Sequence, residues 1–271
     1  MPVVRLWSRA VVTARPGAGG PAGFEYNEGA PIPPDHAGKA PTTMRDTHAI
    51  PRHADGGTSG DDAAGWRMAC LIALAAFLGM GLAAFLVGIL PGDLSVRYGL
   101  LLEEDTALRT LAQWFNLAGT WRVLLPASLV IFAFSPTARR RWWLWAGVFL
   151  GSGALEHAFK FLVDRPRPSG FALGFPSGHT TAAAVFAVIL IYLASRARLH
   201  PATRLSVQAI AVATMLLVGW ARIVLRAHWP TDVLGGLLLG TACAAAAAWW
   251  DSTRPPPRPD ERLGREEAAT W

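Results

Sequence analysis

The chain has 271 residues, of which 52% are hydrophobic and only 16% are charged. Soluble domains carry about 25% charged residues, so this composition argues against an ordinary soluble protein. The net charge of +6 does not indicate nucleic-acid binding, because the positive residues collect in short loops beside apolar stretches, as in membrane proteins. We therefore expect the lipid bilayer, and no nucleic acid, as a partner.

Composition divides the chain into three parts. Residues 1–65 are rich in proline and glycine and show no apolar periodicity, so we predict a disordered N-terminal extension. Residues 251–271 are charged and proline-rich and are predicted to form a tail. Residues 66–250 are predicted to be one membrane domain. Cys70 and Cys243 lie within apolar stretches of it and indicate neither a disulfide framework nor a zinc site.

Six apolar stretches lie within the membrane domain. Each has about 17–25 residues, enough for a helix to cross about 30 Å of hydrocarbon. They are 66–90, 117–134, 142–163, 179–195, 204–225 and 229–250. We therefore predict an all-α fold, a polytopic membrane bundle of six transmembrane helices. The charged stretch 95–115 is predicted to be an amphipathic helix lying at the membrane interface.

Tryptophan agrees with these boundaries, because indole prefers the headgroup layer of a membrane. The residues at or near predicted span ends are Trp66, Trp121, Trp142, Trp143, Trp145, Trp229, Trp249 and Trp250. We expect them to lie at the membrane surface.

Three short polar clusters stand at the ends of predicted spans. They are 160–168 (KFLVDRPRP), 176–179 (PSGH) and 222–232 (RIVLRAHWPTD). The loops after the second and fourth spans are instead rich in arginine, with Arg139, Arg140, Arg141, Arg196, Arg198 and Arg204. By the positive-inside rule these loops are cytoplasmic, which makes both termini cytoplasmic. All three clusters then lie on the external side, which in a bacterial inner (plasma) membrane is the periplasmic face.

Three cations of these clusters point to an anion site. Lys160 and Arg222 lie in or at the ends of apolar spans, where a charge at mid-membrane costs roughly 2.5–3.5 kcal/mol. Arg167 lies in a segment that Pro166 and Pro168 keep from continuing as a helix. Arginine presents a fork that matches phosphate oxygens, and lysine adds a point charge. Arg165 is expected to be a solvated or headgroup-facing charge.

The second cluster immediately precedes a predicted helix, whose N-terminus favours an anion. Gly178 would allow the backbone to approach a ligand. Ser177 can either cap the helix or donate a hydrogen bond to a phosphate oxygen. The residues leave both roles open.

In the third cluster, Pro230 suits a first helical turn, which places His228 just before the helix and Asp232 one turn into it. A carboxylate at this spacing can fix the tautomer of the imidazole and leave its other nitrogen free to attack. Asp232 would equally stabilise the helix dipole, by roughly 0.3–1 kcal/mol. Glu156 and Lys160 share a helix face, so Glu156 either holds the lysine for function or only neutralises it. Glu156 and His157 are predicted to be buried.

Together the clusters resemble the signature of the type 2 phosphatidic acid phosphatase superfamily, which also includes vanadium haloperoxidases. That signature is Lys-x6-Arg-Pro, then Pro-Ser-Gly-His, then Ser-Arg-x5-His-x3-Asp. Its residues here are Lys160, Arg167, Pro168, Pro176, Ser177, Gly178, His179, Arg222, His228 and Asp232. Ala221 stands where the family usually has serine, so one hydrogen bond of the third cluster is missing.

The resemblance implies roles for these residues. His228 would be the nucleophile that becomes phosphohistidine, Asp232 would orient it, and His179 would protonate the leaving oxygen and then activate water. The phosphate would be held by Lys160, Arg167, Arg222, Ser177 and Gly178. It also implies six transmembrane helices, no metal and no other cofactor.

We therefore expect a membrane phosphatase acting on a lipid phosphate monoester or pyrophosphate at the external face. Undecaprenyl pyrophosphate, phosphatidylglycerol phosphate, phosphatidic acid and lipid A phosphates present similar head groups, and the sequence does not choose among them. Three alternatives stay open: a lipid-linked phosphotransferase, a vanadate-dependent halide oxidase, and a non-catalytic anion- or lipid-binding protein or transporter.

Overall fold

The computed structural model describes residues 58–100 and 106–254, and this part of the chain is helical and contains no strand. Its helices are α1 (Thr58–Val87), α2 (Asp93–Leu100), α3 (Thr106–Ala118), α4 (Trp121–Phe134), α5 (Pro136–Arg140), α6 (Trp142–Val163), α7 (Gly178–Arg196), α8 (Pro201–Val224) and α9 (Pro230–Ser252). The tail after residue 254 and residues 1–57 of the predicted extension lie outside the described residues.

Four helices of the described part are long and apolar enough to cross a membrane: α1, α7, α8 and α9. A fifth span is possible by length and composition if α3 and α4, which are bent by 50° relative to each other, act as one. The 22-residue α6 covers the predicted third span but carries Glu156, His157 and Lys160, which lower its hydropathy. The all-α prediction is confirmed, whereas the described residues give four or five candidate spans instead of six.

The predicted interfacial helix over 95–115 is described only in part. The chain forms α2, whose first residue is Asp93, and then α3, and residues 101–105 between them lie outside the described part. One face of α3 packs against α8 and is therefore covered by protein.

Two small residues set how closely α9 approaches α7. A Cβ on Gly236 would lie 2.2 Å from Thr180 Oγ1, and one on Gly240 would lie 2.4 Å from the carbonyl oxygen of Thr181. A small-xxx-small pair of this kind allows helix backbones to pack directly in a membrane. Because this contact fixes one helix against the other, the N-terminal ends of α7 and α9 come to the same end of the bundle.

α7 and α9 form the centre of the bundle, and α1 packs along α9. The outer faces of α1 and α8 expose large apolar side chains, among them Leu71, Ile72, Leu82, Phe85, Leu86, Leu205, Ile210 and Leu216. A water-soluble surface rarely carries so continuous an apolar patch, whereas lipid tails solvate it without cost. The described region is therefore that of an integral membrane protein.

The end of the bundle opposite the polar clusters has its own ion pair. Arg141 Nη1, at the start of α6, lies 2.5 Å from Asp251 Oδ1 near the end of α9. Tyr192 donates a hydrogen bond to the other oxygen of Asp251. Trp145, which we expected at the membrane surface, is 1% exposed and packs against the Tyr192 ring at 5.4 Å. This face of α6 therefore turns toward α7 and away from lipid, and the location of Trp145 at the membrane surface stays a prediction.

Candidate active site

The three polar clusters meet at the end of the bundle where α6 and α8 end and α7 and α9 begin. The backbone N–H of Ser177 donates to the backbone carbonyl of Asp232 at 2.9 Å, which joins the second cluster to the third. The indole Nε1 of Trp229 donates to the Pro166 carbonyl at 2.8 Å, which joins the third to the first. Segments far apart in sequence are thus fastened into one site.

The first cluster forms a tight loop between α6 and α7. Asp164 ends α6 in a left-handed conformation with φ 41°, and the chain then turns back on itself. The Arg167 guanidinium donates to the Leu173 carbonyl from Nε at 3.3 Å and from Nη2 at 3.2 Å. A Cβ on Gly174 would lie 2.9 Å from the carbonyl oxygen of Arg165, so only glycine fits where the loop closes. These contacts hold Arg167 at the mouth of the site.

His179, at the start of α7, lies close enough to four predicted site residues to interact electrostatically with all of them. They are Lys160, Arg167, Arg222 and His228. Arg167 and Arg222 also act on each other and on His228. The expected convergence of the three cations and two imidazoles is therefore present in the described part of the chain.

Ser177 is completely buried at the N-terminus of α7. Its hydroxyl makes no capping hydrogen bond, and Oγ has no hydrogen-bond partner within the described residues. Of the two roles that the sequence left open, the cap is excluded. An unpaired buried hydroxyl at this position is instead available to an anionic ligand.

Glu156 explains why residue 178 is glycine. A Cβ at position 178 would lie 2.7 Å from Glu156 Oε1, the oxygen that Lys160 Nζ approaches at 2.5 Å. The glycine thus makes room for the carboxylate that holds the lysine. His157 Nδ1 lies 2.7 Å from the other oxygen, but its side chain is 72% exposed, so its predicted burial is wrong. Glu156 itself is buried as predicted.

Arg222, two residues before the end of α8, is held by a residue that the sequence did not single out. Its Nη1 donates to Asn116 Oδ1 at 2.5 Å, whereas its Nε has no hydrogen-bond partner among the described residues. Asn116 lies near the end of α3, 106 positions away in sequence, so no local pattern could relate the two. Ala221 is completely buried here and supplies no hydroxyl.

His228 is 2% exposed and lies in the loop between α8 and α9. Its Nδ1 stands 3.5 Å from Asp232 Oδ2, too far for a hydrogen bond, and that oxygen accepts the backbone N–H of Trp229 at 2.9 Å. Asp232 therefore caps α9 and also faces the imidazole. Burial lowers the pKa of His228 below its ordinary value and outweighs the opposing effect of Asp232, with Arg222 and Arg167 lowering it further. The imidazole is thus neutral at pH 7 and keeps a lone pair.

Arg165 contradicts the prediction of a solvated or headgroup-facing charge, because its side chain is completely buried. Its Nη1 donates to Asp232 Oδ1 at 2.7 Å and to Thr231 Oγ1 at 2.6 Å. Its Nη2 pairs with Asp93, the first residue of α2. The reversal after Asp164 turns this arginine inward, and no sequence pattern indicates its partner 72 positions earlier.

The family model of the PAP2 superfamily matches residues 169–256, which contain the second and third clusters. A solved structure, the first transmembrane PAP2 type phosphatidylglycerolphosphate phosphatase from Bacillus subtilis, superimposes with a TM-score of 0.62 and 25% identity. That superposition covers 70% of this chain and 98% of that one. The chain therefore matches the PAP2 superfamily over residues 169–256 and is similar in fold to a solved PAP2 type phosphatase.

Two further proteins are similar to a smaller part of this chain. Phosphatidylglycerophosphatase B of Bacillus subtilis (strain 168) is 34% identical over 131 residues, which are 45% of this chain. The chain spans 64% of that relative's length, just under two thirds. Aquifex aeolicus LpxE shares the fold, with a TM-score of 0.51 at 22% identity, over 59% of this chain and 97% of that one.

Proposed function

We propose that this protein is a membrane-embedded phosphatase that hydrolyses a lipid phosphate monoester or pyrophosphate through a phosphohistidine intermediate. The observation that carries the proposal is a buried, neutral His228 that interacts electrostatically with Arg167 and Arg222. An uncharged imidazole is a nucleophile, and the neighbouring cations stabilise the negative charge of a phosphate. The name of the curated relative, a phosphatidylglycerophosphatase, supports a lipid phosphate as substrate.

In the first step the head-group phosphate binds to Lys160, Arg167 and Arg222, with the Ser177 hydroxyl and the Gly178 N–H as further donors. The free ring nitrogen of His228 attacks phosphorus, and the bond from phosphorus to the lipid oxygen breaks. His179 donates a proton to that oxygen. The lipid then leaves as a neutral alcohol, or as the lipid monophosphate when the substrate is a pyrophosphate. Asp232 faces Nδ1 of the new imidazolium and stabilises its charge.

In the second step His179, now neutral, accepts a proton from a water molecule. The resulting hydroxide attacks phosphorus, the P–N bond to His228 breaks, and inorganic phosphate leaves. The positive charge that a metal supplies in other phosphatases comes here from the three cations, so we propose a metal-independent reaction without a cofactor. Residues 58–100 and 106–254 contain no group of three or more His, Cys, Asp or Glu side chains suited to a metal ion.

We further propose six transmembrane spans, counting α6 and the bent α3–α4 pair, over residues 66–250. Arg139, Arg140 and Arg141 precede α6 at the end opposite the site, which favours a cytoplasmic location for that end. The site then faces the periplasm from a bacterial inner membrane. Both termini, including the extension 1–65 and the tail 251–271, are proposed to be cytoplasmic.

Phosphate release by the purified protein in detergent tests this proposal, with phosphatidylglycerol phosphate, phosphatidic acid and undecaprenyl pyrophosphate as substrates. We expect hydrolysis of at least one of them and its loss in His228→Ala and in His179→Ala. His200→Asn is the matched control, because His200 is exposed at the start of α8 and asparagine also caps a helix.

The same experiment separates the competing functions. Transfer of labelled phosphate to an added hydroxyl compound instead of water would identify a phosphotransferase. Binding of the lipids without turnover would leave a non-catalytic anion- or lipid-binding protein. Full activity in the His228→Ala variant would refute the proposed nucleophile.

A further inference from the structure

Behind the imidazole of His228, a buried network connects Asp232 to three residues that have no role in the proposed reaction. They are Asp93, Arg165 and Thr231. The side chains of Asp93, Arg165 and Asp232 are each at most 1% exposed. Charged groups of this kind are almost never fully buried unless they are paired, and burying them is costly.

Both oxygens of Asp232 are engaged, but in different directions. Oδ2 faces His228 Nδ1 at 3.5 Å and accepts the Trp229 N–H at 2.9 Å. Oδ1, on the far side of the carboxylate, accepts from Arg165 Nη1 at 2.7 Å. The guanidinium therefore determines the plane of the carboxylate that approaches the imidazole, and a rigid planar fork is suited to this task.

The guanidinium is in turn fixed from behind. Its Nη2 is bound by Asp93 Oδ2, and its Nη1 also reaches Thr231 Oγ1 at 2.6 Å. Asp93 Oδ1 accepts from the backbone N–H of Thr231 at 3.0 Å and from its hydroxyl at 2.9 Å. Asp93 thus connects the start of α2 to the first turn of α9. It also holds the Arg165 guanidinium in place against Asp232.

The charges of this arrangement support a role beyond packing. Arg165 lies between two carboxylates, so Asp93 balances part of its charge and Asp232 is not fully neutralised. Asp232 then retains negative charge for the imidazolium that forms on attack. A guanidinium paired with Asp232 alone would neutralise that charge.

We propose that Arg165, held in place by Asp93, is a positioning residue that fixes the Asp232 carboxylate against His228. The proposal rests on the proposed phosphatase function. Because Nη1 and Nη2 of Arg165 and both oxygens of Asp93 already bind one another, Thr231 or Asp232, neither residue is expected to touch the substrate. Their removal should lower kcat and leave phosphate binding unchanged.

Arg165→Gln is the first variant, and we expect kcat to fall on the order of 100-fold, since a misplacement of about 1 Å can cost that much. The inhibition constant of inorganic phosphate, the product of the reaction, should stay within about twofold of wild type. A double-mutant cycle with Asp232→Asn shows whether the two residues act together. In the Asp232→Asn background, Arg165→Gln should lower kcat only slightly further.

A second variant separates a loss of activity from a loss of folding. Arg165→Gln leaves the buried carboxylates of Asp93 and Asp232 without their cation. The double variant Asp93→Asn/Arg165→Gln removes the charges of Asp93 and Arg165 together, so we expect the fold to tolerate it better. The matched control is Arg141→Gln with Asp251→Asn, which neutralises the ion pair about 28 Å away along α9. We expect the first double variant to lose kcat like Arg165→Gln and the control to keep it, with both monodisperse in detergent.

Three results would overturn the inference. They are wild-type kcat in a monodisperse Asp93→Asn/Arg165→Gln variant, losses of kcat in Arg165→Gln and Asp232→Asn that multiply in the combined variant, and a large loss of affinity for inorganic phosphate. If instead the wild type hydrolyses no lipid phosphate, or His228→Ala is fully active, the proposed function itself fails. The two failures are therefore distinguishable.

Discussion

The carboxamide oxygen of Asn116 accepts a hydrogen bond from Arg222 Nη1 at 2.5 Å and so connects α3 to the end of α8. Arg222 interacts electrostatically with Arg167 and both histidines of the site, yet its hydrogen bond goes to a neutral group. A neutral partner orients a guanidinium without neutralising its charge, which stays available to a phosphate.

We therefore predict that Asn116→Asp raises KM more than Asn116→Ala does. The new carboxylate would form an ion pair with Arg222 and compete with the substrate phosphate, whereas alanine only frees the guanidinium. Steady-state kinetics on a lipid phosphate measures the difference. Gln113→Ala, at an exposed position one turn earlier on α3, should leave KM unchanged. Equal KM values in the two Asn116 variants would contradict this role.

Burial sets the protonation of His228. Because the pKa is lowered from the ordinary value of 6.5, the imidazole stays neutral as the pH falls through 6.5 and gains its proton only at lower pH. An NMR titration of the ring Cε1 resonance, assigned with a His228→Gln variant, should give a midpoint below 6.5. Asp232→Asn should move the midpoint lower still, because Asp232 favours the protonated form. A wild-type midpoint above 6.5 would be incompatible with this environment.

Gly178 is predicted to be irreplaceable. In Gly178→Ala the new methyl would meet Glu156 Oε1 at 2.7 Å and displace the carboxylate that holds Lys160. We expect weaker substrate binding, seen as a higher KM. Gly151→Ala on α6, where a Cβ meets nothing within 4 Å, is the control and should behave as wild type. Unchanged kinetics in Gly178→Ala would show that the lysine does not depend on this contact.

The contact between α7 and α9 gives a prediction about stability. Gly236→Ala would place a methyl 2.5 Å from the Ser177 carbonyl, and overpacking of this kind costs typically about 1–3 kcal/mol. We expect a lower thermal midpoint in detergent and reduced activity, because Ser177 would shift. Gly79→Ala on α1 has open space around it and should change neither quantity. Equal midpoints for both variants would argue against close packing at this glycine.

Local spacing predicted much of the site. The i,i+4 relation between Glu156 and Lys160 foretold their contact, and Pro230 placed the start of the last helix correctly. The spacing of His228 and Asp232 brought the two side chains near each other, although at 3.5 Å they are not hydrogen-bonded. Such relations follow from helix geometry alone, so they can be predicted from the spacing of residues in the sequence.

Contacts between distant segments could not be predicted in this way. Arg165 is adjacent to prolines in a loop, and nothing in its neighbourhood shows that Asp93 and Asp232 enclose it. Trp145 resembles an interfacial tryptophan in sequence, yet it is buried because of the direction in which α6 faces. Hydropathy also did not show that the second predicted span begins at a bend of 50° between α3 and α4.

The most direct measurement is the identification of a phosphorylated residue in the working protein. The protein would be mixed with a lipid phosphate labelled with ³²P, quenched in alkali, which preserves phosphohistidine, and mapped by peptide mass spectrometry. We predict label on His228, lost on acid treatment and absent from His228→Ala. Substrate turnover without label on that residue, or label on another side chain, would contradict the proposed mechanism.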